Sequence, residues 1–137
     1  MSSRSTDGGD LLVVGTTSAV REVAERLAES RSLTFVTDEP MQAKRAERAG
    51  MATILTSFEA GITDALTADV AVVATDRDSK TLLVAQQLRI RHDVGAVIAR
   101  VNDSSRVPAF DDVATETVTT VDLYHRGISE TLQGALG

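Results

Sequence analysis

The stretch Gly15-Thr16-Thr17-Ser18 has the residue types to hold an anion. Three hydroxyl-bearing residues follow a glycine, and a helical pattern begins directly after them. Their donors therefore stand beside helix amides that have no partner within the helix, a combination that favours negative charge. Arg21 falls in the first turn of that helix, where the dipole disfavours a cation unless an anion or another charge compensates. It either reaches a bound phosphate there, points to water, or pairs with Glu25 four residues on. Arg100 lies just beyond an apolar run, at the kind of strand end where open α/β sheets bind ligands. An ion pair with Asp103 or Asp76 would explain it equally well. Asp76 and Asp78 precede a helical pattern and read as its caps. No serine stands in a G-x-S-x-G context, no lysine has an evident base, and cysteine is absent. His92 and His125 have no second ligand at metal-binding spacing. These observations point to a binding protein, neither an enzyme nor a metal protein.

The elements that must position these residues alternate. Residues 11–15 form an unbroken apolar run ending in glycine, which predicts a strand buried on both faces. Residues 19–30 then switch to helical period, with Val20, Val23, Ala24, Leu27 and Ala28 on one stripe. Residues 32–37 are strand-like, and Pro40 opens a short helix over 41–49 that Gly50 closes. A third strand covers 51–55, and 58–66 reads as a weak helix interrupted by Gly61. The fourth strand, 70–74, leads into a helix over 79–90 that buries Leu82, Leu83, Ala85 and Leu88. A fifth strand at 94–99 runs into a loop and a short helix carrying Val107, Ala109 and Phe110. Residues 115–120 are half polar, which suits a sheet edge. The last helix, 121–136, spaces Leu123 or Tyr124, Ile128, Leu132 and Leu136 along one side. About six alternations predict an α/β fold with a doubly wound, mostly parallel six-stranded sheet.

The length of 137 residues suits a single domain, read as 10–137 after a Ser-, Gly- and Asp-rich tail at 1–9. The net charge of -6 argues against nucleic acid or anionic lipid as a partner. Only Lys44 and Lys80 are lysines, and an acidic, lysine-poor composition suits a salt-rich, halophilic cytoplasm. No apolar run is long enough to insert in a membrane, and no signal-peptide pattern is present.

Residues 68–78, A-D-V-A-V-V-A-T-D-R-D, resemble a stretch of the N-terminal nucleotide-binding domains of the TrkA/KtrA/RCK group, the cytoplasmic regulators of potassium transporters and channels. Residues 98–103, I-A-R-V-N-D, match that group almost letter for letter, and residues 34–40 resemble the V-x-V-I-D-x-D-P that ends its second strand. The resemblance covers roughly residues 10–120. It implies a Rossmann-like domain that dimerises on the cytoplasmic side of a membrane potassium transporter or channel subunit. There it senses a nucleotide, a mononucleotide (AMP, ADP or ATP) or NAD(H), and regulates without catalysing. Many members carry a second domain; this chain ends before one could fit and is read as a lone N-terminal domain.

The departures from the family pattern bear on the ligand. Its Gly-x-Gly-x-x-Gly falls on Gly15, Thr17 and Val20, so only the first glycine remains. Gly15 is then either a tight turn alone or the floor of a surviving phosphate site. The ribose-binding acid falls on Thr37, and Asp38 follows one residue later. Asp38 recovers the ribose contact if the strand ends early; otherwise it is an exposed turn carboxylate. The family's Gly-Asp after the third strand falls near Leu55-Thr56 and is missing, and its Asn in the helix after the fourth strand falls near Thr81. Gly15, Thr16, Thr17, Ser18, Arg21, Asp38, Thr75 and Arg100 are thus the candidate nucleotide-binding residues. Since Thr17 would crowd a pyrophosphate, a mononucleotide is expected in preference to NAD. Two other readings stand beside this one: a dimerising scaffold that has lost its nucleotide, and a NAD-dependent oxidoreductase, for which no acid-base residue is evident. The apolar stripe of the last helix predicts a homodimer in which that helix crosses to, or packs near, the other subunit.

Overall fold

The computed structural model describes residues 10–61, 68–92 and 94–137. The expected tail at 1–9 and the later part of the weak helix, 62–66, lie outside the described residues. Six strands form one sheet: β1 (Leu11–Gly15), β2 (Leu33–Thr37), β3 (Ala52–Leu55), β4 (Val70–Ala74), β5 (Ala96–Val101) and β6 (Glu116–Thr119). Their order is β3-β2-β1-β4-β5-β6, and every neighbouring pair is parallel. β1 is central, and β6 lies at an edge as its half-polar composition predicts.

Among the described residues, three helices cover the sheet. On one face, α1 (Ser18–Ala28) and α2 (Pro40–Arg48) bury Val20, Ala24 and Ala46 against Val13, Phe35 and Ala74. On the other, α3 (Asp78–Ile90) buries Val84, Ala85 and Leu88 against Leu12, Val14, Val36, Val73 and Val97. Alternate residues of β1 therefore enter different cores, which is why its sequence carries no polar alternation. A 3₁₀ helix, Ser104–Phe110, seats Phe110 on Ala99 and Val101. Gly50 has φ +87°, a left-handed conformation glycine adopts freely, and its amide donates to the Glu47 carbonyl to close α2.

Residues 58–61 are a turn, in contrast to the weak helix expected there. Gly61 has φ +90°, which no right-handed helix accommodates, while Phe58 is drawn into the core and its carbonyl accepts from Gln87 Nε2 at 2.9 Å. The last helix, α4 (Thr120–Leu136), buries none of its residues; Tyr124, Ile128, Leu132 and Leu136 all stand in solvent. Its stripe does not lie on its own sheet. On β5 the residues opposite the α3 face, Ala96, Ile98 and Arg100, are only half-buried.

Candidate functional site

The order of strands reverses between β1 and β4, and the turns after these two strands meet at the carboxyl edge of the sheet. After β1, each residue of the anion-binding stretch has a separate task. Gly15 faces Val20 so closely that a Cβ in its place would stand 2.9 Å from that of Val20, which requires glycine here. Val20 thus fills the space that Gly15 leaves. Thr17 is the N-cap of α1, its hydroxyl accepting from the Val20 amide at 3.3 Å. Thr16 is buried, donates its hydroxyl to Asp76 Oδ1 at 2.9 Å and accepts from the Asp76 amide at the same distance. Ser18 opens α1 and is exposed. Arg21 is buried and turned toward α2: its Nε donates to Gln42 Oε1 at 2.8 Å and its Nη1 to Glu25.

The turn after β4 is stitched to the end of β5. The Thr75 carbonyl accepts from Arg100 Nη2 at 2.8 Å and from the Asn102 side-chain amide at 3.3 Å. The Thr75 amide donates to the Thr81 hydroxyl at 3.1 Å. The Asp78 carboxylate accepts the backbone amides of Asn102 at 2.7 Å and Asp103 at 3.0 Å. Neither aspartate caps α3 as expected. The N-cap is Arg77, without a side-chain bond, because Asp78 is spent on the β5 turn and Asp76 on Thr16. Arg100 makes no ion pair with Asp103 or Asp76; its Nε is buried without a partner.

Beside these turns a cleft of about 720 Å³ opens over the ends of β2 and β3. Its walls are Asp38 and Pro40, residues 55–59, and Arg77, Ser79, Lys80 and Leu83 from the start of α3. β2 ends at Thr37, so Asp38 lies past the strand, where alternation no longer directs its side chain away. Lys80 Nζ stands 3.0 Å from Asp38 Oδ2 and 3.5 Å from Asp76 Oδ1. The other Asp38 oxygen is buried without a partner. A continuous polar chain, Thr16–Asp76–Lys80–Asp38, therefore links the turns after β1, β4 and β2.

Charge follows this chain. The Thr16 hydroxyl holds the Asp76 carboxyl below its ordinary range against a smaller opposing effect of burial, and the nearby Lys80 adds to it. For Lys80, burial alone would lower the pKa, but hydrogen bonding and attraction to Asp38, then Asp76, outweigh it and raise the value.

Of the residues selected from sequence, Asp38 lines the cleft, Thr16 is linked to it through Asp76 and Lys80, Gly15, Thr17, Ser18 and Arg21 are not among its walls, and Thr75 and Arg100 lie together on the β4–β5 side. Lys80 and Arg77 escaped selection. One signal was available for Lys80: it is one of two lysines in the chain and stands four residues after Asp76, the spacing of a helical ion pair. Among the described residues no group of acidic or histidine side chains is placed to hold a metal ion, and no helix is long and apolar enough to cross a membrane.

The family model of the TrkA-N domain matches residues 11–120. No curated protein matches the chain in sequence. Among solved structures, the NAD(P)-binding domain of an exopolyphosphatase-related protein from Archaeoglobus fulgidus superposes with a TM-score of 0.76 at 18% identity. The alignment covers 90% of this chain and 97% of that one, a likeness of fold. TrkA-N domains are regulatory and non-catalytic. With its parallel sheet, its glycine turn after β1 and its match over residues 11–120, the chain belongs to the TrkA-N domain family.

Proposed function

We propose that this domain senses a nucleotide in the cleft over β2 and β3 and conveys its occupancy, as a cytoplasmic homodimer, to a membrane potassium uptake system. The observation that carries the reading is the position of Asp38. It stands past the end of β2, on the wall of a cleft at the carboxyl ends of the strands, where doubly wound sheets bind nucleotides. Leu55, Pro40 and Leu83 offer apolar surface for a base, and Asp38 an acceptor for ribose hydroxyls. The phosphates then lie toward Gly15, Thr16, Thr17 and Ser18.

The dimer reading rests on α4. A 17-residue helix with no buried residue leaves Tyr124, Ile128 and Leu132 in water, and such a stripe marks an interface. The half-covered face of β5, with Ile98 and Arg100, is a surface of matching character for a helix from a second copy.

Isothermal titration of the full chain with AMP, ADP, ATP, NAD and NADH in concentrated potassium chloride tests the ligand. Saturable binding of a mononucleotide, tighter than that of NAD, is expected. Light scattering is expected to return twice the protomer mass, and a monomer at micromolar concentration would remove the dimer. A second reading has its own observation: Thr17 and Arg21 are already satisfied within the protein, as a site without a ligand would be. If none of the nucleotides binds, the domain is a dimerising scaffold of the same fold.

A further inference from the structure

We propose that Lys80 is an exchangeable cation: a ribonucleotide entering the cleft takes Asp38 with its ribose hydroxyls and receives the released ammonium on its phosphate. This rests on the nucleotide reading above and names what the site demands of the ligand.

The argument begins with the occupied acid. Lys80 Nζ is 3.0 Å from Asp38 Oδ2, and the other oxygen is buried, so the oxygen that a ribose hydroxyl can meet from the cleft is the one Lys80 holds. A neutral hydroxyl displacing an ammonium leaves that cation in a partly buried setting beside a single remaining carboxylate, which is unfavourable. A nucleoside alone offers nothing in return. A phosphate does, and the geometry supplies the route. Asp76 is the second partner of Lys80 and also the hydrogen-bond partner of Thr16, so the ammonium stands one carboxylate away from the turn over which the phosphates lie. A cation on a long flexible stem can move between the two acceptors. The site is therefore selective for ligands that carry both a ribose diol and a phosphate. Exchange also unfastens α3, which bears Lys80, from the turn after β2, which bears Asp38, so occupancy changes a contact between two parts of the fold.

The test compares AMP, adenosine and 2′-deoxy-AMP by isothermal titration against the parent chain, Lys80→Met and Lys80→Arg. In the parent, AMP is expected to bind at least about tenfold more tightly than either analogue, the scale of one hydrogen bond to a charged group. Lys80→Met should collapse the preference for AMP over adenosine to within about threefold, and Lys80→Arg should restore most of it. A second readout uses the two lysines of the chain. With ¹³C-labelled lysine, saturating AMP is expected to shift the Lys80 side-chain resonance and leave that of Lys44, exposed on α2, in place. Should Lys80→Met fail to fold, these resonances decide the matter in the parent. AMP binding with an unmoved Lys80 resonance, or an AMP-to-adenosine ratio unchanged in Lys80→Met, overturns the exchange and leaves the nucleotide site standing. Absence of binding by AMP, adenosine and 2′-deoxy-AMP alike overturns both.

Discussion

The turns after β1 and after β4 meet at the same edge of the sheet, yet they are built differently. The β4 turn is tied to β5 and α3 through backbone groups: the Thr75 carbonyl accepts from Arg100 and Asn102, the Thr75 amide donates to the Thr81 hydroxyl, and the Asp78 carboxylate accepts two amides at once. The β1 turn has one cross-link of that kind, the Thr16–Asp76 pair, and otherwise serves its own helix through Thr17 and the Gly15–Val20 contact. The side chains that most resemble the family pattern, Asp78, Arg100 and Asn102, thus satisfy backbone groups and fix the fold. Of the positions that depart from it, Thr17 lies where a pyrophosphate would rest on bare backbone, and Val20 packs α1 against Gly15. Resemblance in the second half is informative about architecture.

This comparison is most exposed at Asp78. Asp78→Ala should cost about 3 kcal/mol by leaving two amides without their charged acceptor, a fall in Tm of roughly 10 °C. A thermal shift no larger than that of an ordinary surface change would show the β4 turn to be no more structural than the β1 turn. Gly15→Ala comes next, at about 2 kcal/mol from overpacking against Val20. Adding Val20→Ala should recover most of that loss in denaturant titrations, whereas additive losses would place the strain elsewhere. Thr17→Ala removes the N-cap of α1 and should cost about 1 kcal/mol, with Thr17→Asp near neutral. Equal stability of all three chains would free the Thr17 hydroxyl from its structural task.

The smallest effect is on pH dependence, and its sign follows from the two shifted groups. Asp76 has a lowered carboxyl pKa, so its contribution is full above the ordinary value of 3.8 and is lost as pH falls through the folded one. Lys80 has a raised pKa, so its contribution is full below the ordinary value of 10.5 and is lost as pH rises through the folded one. Chemical denaturation at pH 3 and pH 11 should therefore show Lys80→Met flattening the alkaline loss, and Asp76→Asn flattening the acid loss. If neither limb changes, the polar chain across the strand ends contributes nothing measurable to stability, as many partly exposed ion pairs do.

The strands were legible because burial on both faces removes polar alternation, as in residues 12–14 and 71–74, and because Gly50 with Pro40 bracket α2 locally. Residues 58–61 were misread because helical spacing cannot reveal that Gly61 takes a left-handed conformation or that Gln87 claims the Phe58 carbonyl. Asp38, singled out from sequence, lines the cleft, whereas the glycine turn, singled out with it, is not among the cleft's walls. The ammonium of Lys80 on Asp38 was not legible, since its partner comes from another turn far along the chain. Asp76 and Asp78 failed as caps for the same reason: local rules see the helix beside them, and distant amides and hydroxyls outcompete it.

One further property follows from α4. An isolated helix of 17 residues, with Gly127 and Gly134 inside it and no buried side chain, sits near the balance between helix and coil in water. Its first turn is held by the Thr119 cap and by the Thr120 hydroxyl donating to Asn102 Oδ1, and the turns beyond have no buried side chain to order them. If a second copy covers its apolar stripe, association and helix formation become a single equilibrium set by mass action. Helical circular dichroism would then fall on dilution while the sheet stays intact, and the molecule would report its own concentration through the state of its last helix.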